Sequence, residues 1–151
     1  MSFRAVLGTV GIAVTMGLPG PTTAHAQEAG DAAYTAAQAD RGRRIFGAFC
    51  STCHGVDLEG AVGPALAGPS FSAKWSQPDR SAQDLYDVMR TTMPKPAAGT
   101  LAESSYLQVL AYVLSRSGLP AGERELAASN DQLKRIRIPV PLNARPPAPE
   151  F

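Results

Sequence analysis

Apolar and small residues recur every three or four positions along much of this chain, which is the spacing that gives a helix one buried face. The pattern predicts helices over residues 35–49, 70–76, 81–90 and 103–117. The last of these is the clearest, because Tyr106, Leu110 and Leu114 fall on one stripe and Gly118 follows its end. The predicted fold class is therefore all-α.

Glycine and proline, which interrupt regular structure, separate the predicted helices. They concentrate in residues 55–68 and 91–100, so both stretches are predicted to be irregular loops. Beyond Asn130, residues 133–138 alternate basic and apolar side chains, and residues 140–151 are rich in proline. We expect an extended tail there that packs partly on the domain.

The first 26 residues have the pattern of an export signal. Arg4 precedes an apolar run over residues 5–18 that is too short to span a bilayer comfortably. Ala24-His25-Ala26 then matches a cleavage site, so we expect a mature chain that begins at Gln27, lies in the periplasm and has no membrane span. The alternative is a retained membrane anchor. The predicted organisation is a signal peptide (1–26), a flexible lead-in (27–33), a folded domain (34–130) and a basic, then proline-rich tail (131–151).

Charge is balanced along the chain, with 14 Lys and Arg against 13 Asp and Glu. This balance argues against nucleic acid and anionic membranes as partners, since both attract strongly basic proteins. Cleavage of the signal peptide would also remove His25, which would leave His54 as the one histidine of the mature chain.

Cys50 and Cys53 are the only cysteines, and His54 follows them directly. A thioredoxin-like redox pair would need a parallel-sheet scaffold, and a zinc site would need further Cys or His ligands. C-x-x-C-H is instead the attachment motif of a covalent haem. Two thiols at this spacing can reach two vinyl groups of one porphyrin, and the next residue can offer an imidazole nitrogen to the iron. We therefore predict one haem c on Cys50 and Cys53, with His54 as an iron ligand.

The second axial ligand would come from Met89, Met93, Lys74 or Lys95. Lysine is disfavoured near neutral pH, because its amine must lose a proton before it can ligate. Pro94 pushes Met93 towards an extended backbone, which suits a loop that crosses a haem face. Met89 lies on the apolar face of a predicted helix, where methionine is more often core filler. Met93 is therefore the predicted ligand.

Over residues 34–130 the sequence resembles the class I cytochromes c. The matching residues are Gly42, Phe46, Cys50-Ser51-Thr52-Cys53-His54-Gly55, Gly63-Pro64-Ala65-Leu66, Met93-Pro94, Val109, Ala111 and Tyr112. The resemblance implies the cytochrome c fold, in which the N- and C-terminal helices cross at Gly42 and loops wrap one covalent haem. It also implies that the Pro64 carbonyl accepts a hydrogen bond from His54 and so orients that ligand.

A further set of residues resembles the cytochromes associated with periplasmic quinoprotein dehydrogenases. The set comprises Phe71, Trp75, Leu85, Arg90-Thr91-Thr92-Met93-Pro94, Gly99-Thr100-Leu101, Tyr106 and Gly118-Leu119-Pro120-Ala121-Gly122. This resemblance implies that Trp75 lies near a haem propionate, although a plain core aromatic is an equal alternative.

The expected function is one-electron transfer in the periplasm, from a dehydrogenase to a downstream oxidase or cytochrome, by a protein that is not itself an enzyme. One alternative is a tightly bound haem subunit of a dehydrogenase complex, in which the C-terminal tail serves as a docking element. Another is a peroxidase-like or gas-binding haem enzyme, which would need an open iron position that Met93 is placed to block.

Overall fold

The computed structural model describes Met1 and residues 33–140, which are helical without any strand. Its six helices are α1 (Ala36–Phe49), α2 (Ser51–His54), α3 (Pro69–Trp75), α4 (Ala82–Thr92), α5 (Glu103–Arg116) and α6 (Asn130–Arg135). The predicted all-α class is confirmed. None of these helices is both long and apolar enough to cross a membrane. The predicted signal peptide and the proline-rich end of the tail lie outside the described residues.

The close packing of α1 on α5 forms the centre of the fold. A Cβ atom built on Gly42 of α1 would lie 1.8 Å from the carbonyl oxygen of Gln108 and 3.1 Å from Cβ of Tyr112 on α5. One turn further along α1, the ring of Phe46 packs on that of Tyr112 with centroids 5.5 Å apart. Gly42 is therefore the point at which the two helices cross, and no larger residue fits there.

The start of α4 is fixed by a capping arrangement. The Asp84 carboxylate accepts hydrogen bonds from the Ser81 hydroxyl and from the Ser81 backbone N–H, each at 2.7 Å. Both hydrogen bonds lower the pKa of Asp84, and the bond from the hydroxyl has the larger effect. Serine followed three residues later by an acidic residue is a helix-start pattern, and α4 runs two residues further than predicted, to Thr92.

Replacement of Asp84 by asparagine should make the free energy of unfolding less dependent on pH in the acid range. The folded-state pKa of Asp84 is lowered, so the stability that its carboxylate contributes is fully present above the unfolded-state pKa of ~3.9. That contribution is lost as the pH falls through the folded-state pKa. We expect Asp84→Asn to cost about 0.5–1 kcal/mol near neutral pH, at the low end for a cap because the carboxylate is solvent-exposed. Urea unfolding at several pH values would check this, and an equal cost at all pH values would contradict it.

The chain over residues 130–135 folds differently from the extended tail that the sequence predicted beyond Asn130. Residues 130–135 form α6, and the chain becomes extended at Ile136. The buried side chains explain the change. Leu133 and Ile136 are three residues apart, which is helical spacing, whereas Ile136 and Ile138 are two apart, which is extended spacing. The alternation of basic and apolar residues was therefore a strand-like pattern over its second half only.

Candidate haem site

The two cysteines and the histidine lie on one tight turn directly after α1. The backbone N–H groups of Cys53 and His54 both donate to the Cys50 carbonyl, at 3.1 and 3.0 Å, so α2 closes within five residues. Cys50 is half-buried and Cys53 is exposed. Burial, with a smaller effect from the Cys53 thiol, raises the pKa of the Cys50 thiol to about 11. The free Cys50 thiol is therefore protonated at neutral pH.

His54 is buried, and its ring is held in one orientation. Nδ1 of His54 lies 2.7 Å from the carbonyl oxygen of Pro64. A carbonyl can only accept a hydrogen bond, so Nδ1 is the donor, and in the neutral imidazole the lone pair that can bind a metal is then on Nε2. Gly63 permits this approach, because a Cβ atom there would lie 3.0 Å from Cε1 of the ring. Pro64 thus has the geometry that the resemblance implied.

A cavity of about 310 Å³ opens beside His54. Most of its wall is apolar, and Lys95 is the one Lys, Arg, Asp or Glu side chain among the described residues that line it. The lining residues are Phe49, Cys50, Cys53, His54, Val62, Gly63, Pro64, Leu66, Met89, Met93, Pro94, Lys95, Leu101, Tyr106 and Val109. The structure therefore brings five of the six predicted site residues to one cavity.

Met93 caps the end of α4 with an extended backbone, at φ −126° and ψ 157°. This is the conformation that the following Pro94 favours. The Met93 carbonyl accepts hydrogen bonds from the Tyr106 hydroxyl at 2.7 Å and from the Gly99 backbone N–H at 3.1 Å. Met89, one turn earlier on α4, also lines the cavity. A position in the cavity wall therefore does not by itself distinguish the two methionines as iron ligands.

Tyr106 is a site residue that the sequence placed on a helical stripe and in the second resemblance, but without a role at the site. Its ring is buried, and its hydroxyl fixes the backbone of Met93 across 13 positions in the chain. A tyrosine within an otherwise aliphatic stripe was the available signal, since a buried hydroxyl needs a hydrogen-bond partner.

Trp75 does not line the cavity with the other predicted residues. Its side chain is buried beside Phe71, at 6.3 Å between ring centroids. Lys74 Nζ and Arg80 Cζ lie 5.3 and 5.1 Å from the centre of the Trp75 ring. This is the environment of a core aromatic covered by two cations, and the expected position of Trp75 near a propionate stays a prediction.

The side chains around the cavity fit a covalent haem. Two thiols on one turn, an imidazole with a free Nε2 and a thioether sulfur meet at an apolar cavity. Thioether and imidazole are ligands suited to haem iron, and an apolar wall suits the porphyrin. Among the residues that the structure describes, no cluster of three or more His, Cys, Asp or Glu residues could hold a separate metal ion.

A family model described as cytochrome c oxidase, cbb3-type, subunit III, matches residues 37–113, a little over half of the chain. The chain belongs to this cytochrome c family. A 32-residue segment is also 56% identical to the cytochrome c-553-like protein of Synechocystis sp.; it covers 21% of this chain and 30% of that protein. The chain thus matches less than a third of the length of that curated relative.

Two solved structures resemble this cytochrome. The sulfane dehydrogenase SoxCD of Paracoccus pantotrophus aligns with a TM-score of 0.50 and 23% identity, over 85% of this chain and 70% of that one. Cytochrome cL of Methylophaga aminisulfidivorans aligns with a TM-score of 0.40 and 17% identity, over 64% of this chain and 72% of that one. At these identities the SoxCD match supports the fold alone, and it agrees with the cytochrome c fold that the sequence implied.

Family and fold together establish the cofactor. The protein carries a covalently bound haem c.

Proposed function

We propose that this cytochrome is a periplasmic, mono-haem electron carrier whose iron is ligated by His54 and Met93. The observation that supports it best is that both residues line one apolar cavity and that Pro64 already orients His54 for ligation through Nε2. When bound, haem supplies an iron that accepts and releases one electron. A methionine opposite the histidine raises the reduction potential.

Different residues of the chain would have different roles in binding the haem. Cys50 and Cys53 would form the two thioether bonds, and the short turn of α2 sets their spacing. The Pro64 carbonyl accepts the hydrogen bond from His54 Nδ1–H, which favours the tautomer with its lone pair on Nε2 and directs Nε2 away from that bond. The apolar wall excludes water from the iron and so limits side reactions.

Two spectroscopic measurements on the native protein test this function. The oxidised protein should show the weak iron–sulfur charge-transfer band at the red end of the visible spectrum. The reduced protein should not bind carbon monoxide readily, because a six-coordinate iron has no free position. Ready binding of carbon monoxide, or the absence of the band, would favour the ligand-reactive haem enzyme instead.

The proposed compartment and partners rest on the sequence. Residues 1–26 have the signal pattern, which supports export to the periplasm. The resemblance to cytochromes associated with quinoprotein dehydrogenases supports electron transfer from a dehydrogenase to an oxidase or another cytochrome. The alternative is a haem subunit held permanently in a dehydrogenase complex, with the same iron chemistry. Purification of the native protein distinguishes the two, since a subunit would co-purify with a dehydrogenase in a stoichiometric ratio.

Electrons should enter and leave at an apolar rim of the cavity. Phe49 and Val62 both line the cavity and are 54% and 92% exposed, while Lys95 adds one charge. Apolar contact rather than charge attraction would then bring partners together, so the rate should depend weakly on salt.

Electron self-exchange between oxidised and reduced copies offers a measurement of that dependence without a known partner. We expect the NMR-measured rate to change less than about twofold between low and physiological ionic strength, because few rim charges are available to be screened. Val62→Lys should steepen the dependence, since it places a second positive charge on each of two identical rims. A steep salt dependence in the native protein would contradict the apolar rim.

A further inference from the structure

We propose that residues 126–139, named here the C-terminal strap, position helix α4 and thereby hold Met93 at the iron. The strap lies beyond residues 37–113, the part of the chain that matches the family model. The inference rests on the proposed function, because it takes Met93 to be the axial ligand.

One end of the strap is fastened to α1, the helix that leads to the haem-binding turn. The side-chain amide of Gln38 donates to the Leu126 carbonyl and accepts from the Leu126 N–H, each at 2.8 Å. Gln38 is buried, so both bonds are shielded from water. This two-point pairing fixes which residue of the strap lies opposite α1.

The other end of the strap is fastened to the start of α4 and to α3. The Ile136 carbonyl accepts from the N–H of Ala82, the first residue of α4, at 2.9 Å. The first N–H groups of a helix have no partner within it, so the strap satisfies one of them from outside. The Ser76 hydroxyl, just after α3, donates to the Pro139 carbonyl at 3.0 Å.

Apolar side chains anchor the strap between these hydrogen bonds. Leu133 is fully buried, and Ile136 and Ile138 are each 3% exposed. Helix α4 packs mainly against two helices, α5 and α6, and α6 belongs to the strap. Removal of the Leu133 side chain would therefore loosen one of the two main supports of α4.

Helix α4 connects the strap to Met93. It runs for 11 residues from Ala82, and Met93 is its C-cap, with the Met93 N–H bonded to the Met89 carbonyl at 3.0 Å. Tyr106 holds the Met93 carbonyl from the side of α5. Met93 thus lies between a support on α5 and a support that depends on the strap. Loss of the second support should raise the population of open states in which the sulfur leaves the iron.

Imidazole binding to the ferric holoprotein measures these open states, because imidazole can reach the iron only after Met93 has left it. We expect Leu133→Ala to bind imidazole about tenfold more tightly than the native protein, the factor that corresponds to ~1.4 kcal/mol of local stability. Leu133→Met, which keeps the side-chain volume, should restore the native affinity.

Leu126→Ala is the matched control, because Leu126 is an equally buried leucine of the same strap but pairs with α1. It should lower the guanidinium midpoint by an amount comparable to Leu133→Ala and leave imidazole affinity within about twofold of native. If Leu133→Ala yields no holoprotein, Ser76→Ala removes only the bond to Pro139 and should shift imidazole affinity in the same direction by a smaller factor.

Three results would overturn the inference. Unchanged imidazole affinity in Leu133→Ala (or in Ser76→Ala, where that variant is used), with the red-end band present in the native protein, would reject the strap's role alone. An equal rise in Leu133→Ala and Leu126→Ala would show a general loss of stability rather than positioning. A native protein without the band would reject the Met93 ligation and this inference with it.

Discussion

Gly42→Ala should destabilise the protein by about 3 kcal/mol or more, at or above the upper end of the range for overpacked cores. The added methyl carbon would lie 1.8 Å from a backbone carbonyl oxygen of α5. A side chain could rotate away from such a clash, but the Gln108 carbonyl cannot, because it belongs to the helix itself. The two helices would have to separate, and the Phe46–Tyr112 contact would be lost with them. Guanidinium unfolding of the ferric holoprotein, followed by far-UV circular dichroism, measures the loss.

Gly47→Ala is the control for this change on the same helix. A Cβ atom on Gly47 meets nothing within 4 Å. Alanine there should raise stability by about 0.5–1 kcal/mol, since glycine in a helix interior is that much less favourable. The two variants make the same substitution in one helix, so opposite signs isolate the helix crossing as the cause. A cost below about 1 kcal/mol for Gly42→Ala would mean that α1 and α5 can separate easily, contrary to this packing.

The features predicted correctly from the sequence are those that depend on short-range geometry. Cys50, Cys53 and His54 are neighbours in the chain, and the turn that presents them closes through hydrogen bonds within five residues. The extended backbone of Met93 follows from the ring of the next residue, Pro94. The helix stripes were also predictable, because each is a property of one segment.

The features that the sequence left open depend on contacts between distant segments. The bond from Tyr106 to Met93 exists only because α5 packs beside the end of α4. The pairing of Gln38 with Leu126 joins residues 88 positions apart, and neither residue alone signals it. Helix α6 was missed because it packs on α4, a distant segment that its own local pattern does not contain. Local signals therefore predicted five of the residues that line the cavity, but not what holds them in place.

Met93→Ala should have the largest effect on the redox chemistry. Without the thioether the iron would lose its red-end charge-transfer band, and the reduced protein would bind carbon monoxide at the open position. The reduction potential should fall by on the order of 0.1–0.2 V, a fraction of the ~0.8 V range that axial ligands set. Spectroelectrochemical titration of native and variant proteins measures both the band and the potential.

Met89→Ala is the informative partner of that experiment, because Met89 lines the same cavity from the preceding turn of α4. Its side chain is partly buried against the core, so its removal should cost about 2 kcal/mol of stability while the band and the potential stay near native values. The two substitutions are therefore expected to differ: Met93→Ala changes the spectrum, and Met89→Ala mainly lowers the stability. The reverse pattern, with the band lost in Met89→Ala and kept in Met93→Ala, would move the axial ligand one turn back along α4. The strap would then act on a residue within the helix rather than on its end.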